Sequence, residues 1–171
     1  MTFGRFSVTL YESRHVPTGI ILFPGPIKSP LKPPASARAY RLGETYSLVI
    51  KHNDRTIVVM GSAGFIPGAL KDVKADVVYL SVARLGNQSA AYRDSLWDEV
   101  IMATRPERVI LIHWDDFFRP LSEPMRPMPR LFDKVDEAIQ FLRSHPGPHK
   151  PDIQIALPFV KTDPFAGLTP R

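Results

Sequence analysis

Residues 108–121 read RVILIHWDDFFRPL, and the fold is decided there. Val109, Ile110, Leu111 and Ile112 form an unbroken aliphatic run bounded by charge, the pattern of a strand buried on both faces. The run stops at His113, Trp114, Asp115 and Asp116, which sets an imidazole and two carboxylates where the strand leaves the core. Strand ends are where α/β folds place their chemistry. Taken alone, His113 reads equally well as a strand-end residue hydrogen-bonded to a neighbouring loop.

Upstream, residues 76–82 (DVVYLSV) predict another apolar strand, and residues 94–105 a helix. Trp97, Val100, Ile101 and Thr104 share one face of that helix at 3.6-residue spacing, and Pro106 ends it. Residues 45–51 (TYSLVIK) and 56–61 (TIVVMG) are β-rich runs whose joint, His52-Asn53-Asp54-Arg55, predicts a hairpin. Phe6, Val8 and Leu10 alternate with Ser7, Thr9 and Tyr11, so the chain opens on a half-buried strand. Between that strand and the hairpin, residues 17–40 are Pro-rich and without periodicity, which predicts a long surface loop. Downstream, residues 133–145 predict a second helix with Val135, Ala138, Ile139 and Leu142 inward, and residues 152–157 a last strand. The order is β-β-β-β-α-β-α-β: an α/β fold, a layered mixed β-sheet with flanking helices. No repeat or linker divides the chain, so residues 1–171 form a single domain.

With 171 residues and 44% hydrophobic content, the chain can bury one substantial core. Its net charge is +5, but the 22 basic residues are interleaved with 17 acidic ones. Arg119, Arg126 and Arg130 are the nearest approach to a cluster, so no nucleic-acid partner is expected. The absence of cysteine excludes disulfides and thiolate ligands, leaving His, Asp and Glu to hold any metal. No apolar run approaches a membrane span and no signal-peptide apolar region stands at the N-terminus. A cytoplasmic protein without a membrane partner is expected.

Four pieces carry a family resemblance: SRH at 13–15, GSAGF at 61–65, ADVVYLSVARLG at 75–86 and IHWDDFFRPL at 112–121. Over most of residues 5–160 their order and spacing resemble the C-terminal half of a metallo-β-lactamase-fold hydrolase. The resemblance implies half of an αββα sandwich, with His15 and His113 at the two later histidine ligands of the metal site. The aspartate that bridges two metals in binuclear members falls at Ser62. The superfamily's first metal motif, HxHxDH, is absent, and no two of the five histidines stand two residues apart. A serine hydroxyl brings no charge to replace the carboxylate. The resemblance therefore implies a metal-dependent hydrolase that is incomplete or impaired in this chain, with one zinc ion at most and an unidentified small-molecule substrate. The alternative is a non-catalytic partial domain that assembles with a missing N-terminal segment, a partner chain or a second copy.

Bound zinc lowers the pKa of its water to about 7, but catalytic sites hold the metal through about three protein ligands. Two imidazoles leave such a site underfilled. If the chain stays extended past Ile112, His113 and Asp115 project to the same side, making Asp115 the nearer candidate for a catalytic carboxylate. Its other reading is a solvated acid paired with Arg119. A third possibility uses Ser62: Met60-Gly61-Ser62-Ala63-Gly64 resembles the nucleophile elbow GxSxG, with Asp76 or Asp94 and His113 completing a serine hydrolase. The elbow requires a helix directly after the serine, and Gly64, Pro67 and Gly68 interrupt one. The loop at 17–40 is the expected reader of substrate.

Overall fold

Asn53 takes the left-handed conformation (φ 51°) and turns the chain between the strands Thr45–His52 and Arg55–Met60. The structure, a computed structural model, describes residues 1–18 and 25–169. Residues 19–24 of the Pro-rich stretch lie outside the described residues, and its described part carries a short 3₁₀ turn at Ala37–Ala39. Among the described residues, seven strands form one sheet in strict sequence order. They are β1 (Thr2–Phe3), β2 (Phe6–Ser13), β3 (Thr45–His52), β4 (Arg55–Met60), β5 (Val77–Ser81), β6 (Arg108–Ile112) and β7 (Asp152–Ile155). The first four pair antiparallel, while β4 to β7 run parallel. The chain thus has a mixed α/β architecture, with helices α1 (Ala90–Leu96) and α2 (Val135–Ser144) in the crossovers flanking β6.

Of the boundaries that differ from the sequence prediction, three have a clear local reason. A two-residue strand, Thr2–Phe3, precedes the first predicted one and folds back on it through Gly4 at φ 58°. The helix predicted over 94–105 begins at Ala90, because the Ser89 hydroxyl caps it by accepting from the Tyr92 amide at 3.2 Å. It continues through a π-helical stretch, Trp97–Met102. The strand predicted to reach His113 ends at Ile112, since His113 itself turns to φ 54°.

The two faces of the sheet differ. The row Val49, Val58, Val78, Val109 lies beneath the helices and is almost completely buried, in one cluster with Leu96, Trp97, Val100, Ile101, Val135, Ala138 and Leu142. The two helical crossovers, β5 to β6 and β6 to β7, both lie in this single layer, as same-handed connections between successive strands require. The opposite face carries the row Leu10, Leu48, Val59, Tyr79, Ile110. Leu48, Val59 and Tyr79 are only half-buried there, and Leu10 is 47% exposed. At the other end of this face, residues 163–169 are fastened to the sheet. Arg108 is buried and donates to Asp152 at 2.9 Å and to the carbonyls of Pro164 (2.8 Å) and Ala166 (3.0 Å). Arg55 donates to the Thr169 carbonyl at 3.0 Å and lies over the Phe165 ring.

Candidate functional site at the strand exits

Because β2 runs in the same direction as the four parallel strands, the exits of β2, β4, β5, β6 and β7 all open on one edge. His15, Ser62 and His113 follow three of these exits. Strand ends four positions apart are separated by about 19 Å at a spacing of about 4.8 Å. A contact between β2 and β6 chemistry therefore needs the chain to move sideways.

Residues 14–18 make that move. The Val16 amide donates to the Ser62 hydroxyl at 2.9 Å, and the Ser13 hydroxyl donates to the Gly64 carbonyl at 3.1 Å. Beyond them, Gln88 Nε2 donates to the Pro17 carbonyl at 2.8 Å. The segment thus leaves β2, crosses the end of β3, docks on the β4 exit and reaches the loop after β5. His15 is carried with it, exposed, into a groove of about 550 Å³ formed with Glu12 and residues 42–46. A second groove of about 530 Å³ shares residues 42–44 and adds Gly25, Pro26 and Ile27. Part of the Pro-rich stretch therefore lies beside the His15 side of the edge.

Ser62 is 8% exposed, and its hydroxyl holds the backbone of the segment that bears His15. His113 is exposed, with Nδ1 3.3 Å from the fully buried Ser81 hydroxyl and its ring 5.8 Å from that of Phe117. Next to it lies a cluster that sequence reasoning missed. Asp133 is 7% exposed and accepts from the Arg84 amide at 2.8 Å, while its Oδ1 has no hydrogen-bond partner among the described residues. Burial pushes the Asp133 carboxyl above its ordinary value, against the pull of the Arg84 amide and guanidinium and of His113. Arg84 takes φ 62° and donates to the Phe132 carbonyl at 2.6 Å. Left-handed conformations at Arg84 and His113 place two costly backbone turns at neighbouring strand exits. The lone acid before a helix at Asp133 was the available signal, though it reads as an ordinary helix start.

Asp115 does not follow the extended path expected of it. With His113 left-handed, the alternation that would have set Asp115 on the histidine's side is broken. Asp115 instead bridges to Pro127, and Arg119 pairs with Glu123 rather than with Asp115. The acids considered for a Ser62 triad are held elsewhere. The Asp76 carboxylate accepts from the Thr56 amide at 2.7 Å and pairs with Arg55, at the opposite end of the sheet from His113. Asp94 lies 3.5 Å from His145. Residues 61–72 form turns without a helix after Ser62.

Among the described residues, no group of three or more His, Asp or Glu side chains is placed to hold a metal ion. His15 lines the groove with Glu12 and residues 42–46 while His113 stands against Ser81 and Phe117, and the Ser62 hydroxyl is already engaged by Val16. At least one further ligand would have to come from outside these residues, so no hydrolytic step is derived through a metal held by this chain alone. Also among the described residues, no helix is long and apolar enough to cross a membrane. Comparison with models of known protein families gives no match, and comparison with curated protein sequences gives none either.

Proposed function

We propose that the chain is the ligand-bearing half of a metal-dependent hydrolase of the metallo-β-lactamase type, incomplete for catalysis by itself. The observation that carries this reading is the sideways run of residues 14–18. It draws His15 from β2 onto the β4 exit through the Val16–Ser62 bond, toward the edge where His113 stands. One zinc ion at most would be shared, with His15 and His113 supplying two imidazoles and the remaining ligands supplied by whatever completes the domain. The half-buried apolar row Leu10, Leu48, Val59, Tyr79 favours the same assembly, because a second sheet laid on it would complete a sandwich.

Zinc binding by wild type, His15→Ala and His113→Ala tests the proposal, with equilibrium dialysis followed by elemental analysis. Weak binding lost in either single variant is the expected result. Equal zinc content in all three would remove both histidines from the ligand set. A chain that binds no zinc yet assembles through the open face is the non-catalytic partial domain.

A further inference from the structure

The motif HWDDFFRPL leaves its aromatic half without a role once His113 is assigned. The loop at 114–132 that contains it is built by short-range hydrogen bonds. The Asp116 amide donates to the Arg126 carbonyl at 2.8 Å, next to the Asp115–Pro127 bridge, so the loop closes at its base. Asp116 Oδ1 accepts from the Phe118 amide at 3.2 Å, and the Asp116 carbonyl accepts from the Arg119 amide at 3.1 Å. At the far end the Phe132 amide donates to the Pro129 carbonyl at 2.8 Å, one residue before the buried Asp133.

These turns border an open cleft of about 290 Å³ lined by Phe118, Met128, Pro129 and Phe132 together with Asp116. Phe118 is 80% exposed and Phe132 58%, so the apolar wall of the cleft is open to solvent. The cleft is linked to the candidate site by aromatic contact. The Phe117 ring lies 4.6 Å from that of Phe118 and 5.8 Å from the His113 imidazole.

We propose that this cleft binds an uncharged apolar group, the aryl or short acyl side of an ester-like molecule whose reacting end faces His113. That the ligand is a substrate rests on the hydrolase reading; that the cleft binds it does not. Size supports the class: an apolar cavity of about 150 Å³ accepts a benzene ring, and this one has room for a ring with a short chain. Charge supports it too. Arg119 is paired with Glu123, and Arg130 with Asp136 and Glu137, while the Asp116 carboxylate in the lining repels an anion.

The test labels the methionine methyl groups with ¹³C and titrates the full chain with benzyl alcohol, using benzoate as the anionic control. Met128 reports the cleft, and Met60, 1% exposed in the core, reports the fold. The Met128 signal should shift saturably while Met60 stays still, with benzoate at least tenfold weaker. Phe118→Ala should weaken benzyl alcohol at least fivefold without moving Met60. His113→Ala should keep the binding while losing zinc, so that the cleft and the metal site fail separately. An unmoved Met128, equal binding of benzoate, or no effect of Phe118→Ala overturns the proposal. So does a Met128 signal that depends on protein concentration alone, which would make the loop a contact between copies.

Discussion

Gly64 lies so close to Arg14 that a β-carbon built on it would fall 1.9 Å from the Arg14 carbonyl oxygen. The obstacle is backbone, so no side chain can swing aside to relieve it. Together with the Val16–Ser62 bond, this approach holds the histidine-bearing segment against the β4 exit.

Gly64→Ala should therefore lift residues 14–16 off the edge. Its cost in thermal unfolding should reach about 1–3 kcal/mol, the range for overpacking. Ser62→Ala, which loses one buried hydrogen bond, should cost about 1 kcal/mol and weaken zinc binding as well. If Gly64→Ala melts with wild type, the close approach is not maintained in solution.

At the His113 exit, packing and chemistry should separate. Ile110 is 6% exposed, so Ile110→Ala should cost about 2–5 kcal/mol. His113→Ala removes one 3.3 Å contact with Ser81 and should cost no more than about 1.5 kcal/mol. His113→Gly should be at least as stable as His113→Ala, because glycine adopts φ 54° without strain. Thermal unfolding of the three variants decides it. A His113→Ala loss as large as that of Ile110→Ala would make the imidazole a structural hub.

The half-buried sheet face should drive association. Sedimentation at micromolar concentration should show dimers or larger species, and Leu48→Lys should shift them toward monomer. A wild-type chain that sediments as a stable monomer would count against assembly through this face.

Alkaline pH should unfold the domain in part through Tyr92. Burial raises its phenol from 10.0 to about 12, with the hydroxyl donating to the Ala63 carbonyl at 2.9 Å. A group whose pKa is raised on folding stabilises fully below the unfolded value, and that contribution disappears as pH rises through the folded one. Stability should therefore fall between about pH 10 and pH 12. Tyr92→Phe should flatten that fall, at a neutral-pH cost of about 0.5–1.5 kcal/mol for the lost hydrogen bond. Denaturant midpoints measured across this range test it, and an unchanged slope in Tyr92→Phe would assign the alkaline loss to other groups.

Strands and helices were legible wherever periodicity was strong. Val109 to Leu111 proved buried on both faces, and Val135, Ala138 and Leu142 turned inward as their spacing predicted. The Asn53 turn announced the hairpin. The site was less legible because it depends on two things that no periodicity encodes. One is the left-handed turn at His113, which breaks the alternation that Asp115 was expected to follow. The other is the pairing of distant residues, such as the Arg84 amide with Asp133 and the Val16 amide with Ser62. The common edge was conditional on sheet order, and the registers supply that order.

Strict sequence order in the sheet bears on how the protein is made. Each strand pairs with the one synthesised just before it, so the sheet can grow in step with the emerging chain. Nothing already laid down has to reopen to admit a later strand. The Arg55–Thr169 bond is different, spanning 114 residues, and it forms only once residue 169 has been made. A ribosome-bound chain arrested before residue 163 would hold a paired sheet with Arg55 and Arg108 not yet latched. The emergence of residues 163–169 is then marked in the molecule itself, by the closing of those two guanidinium groups on that segment.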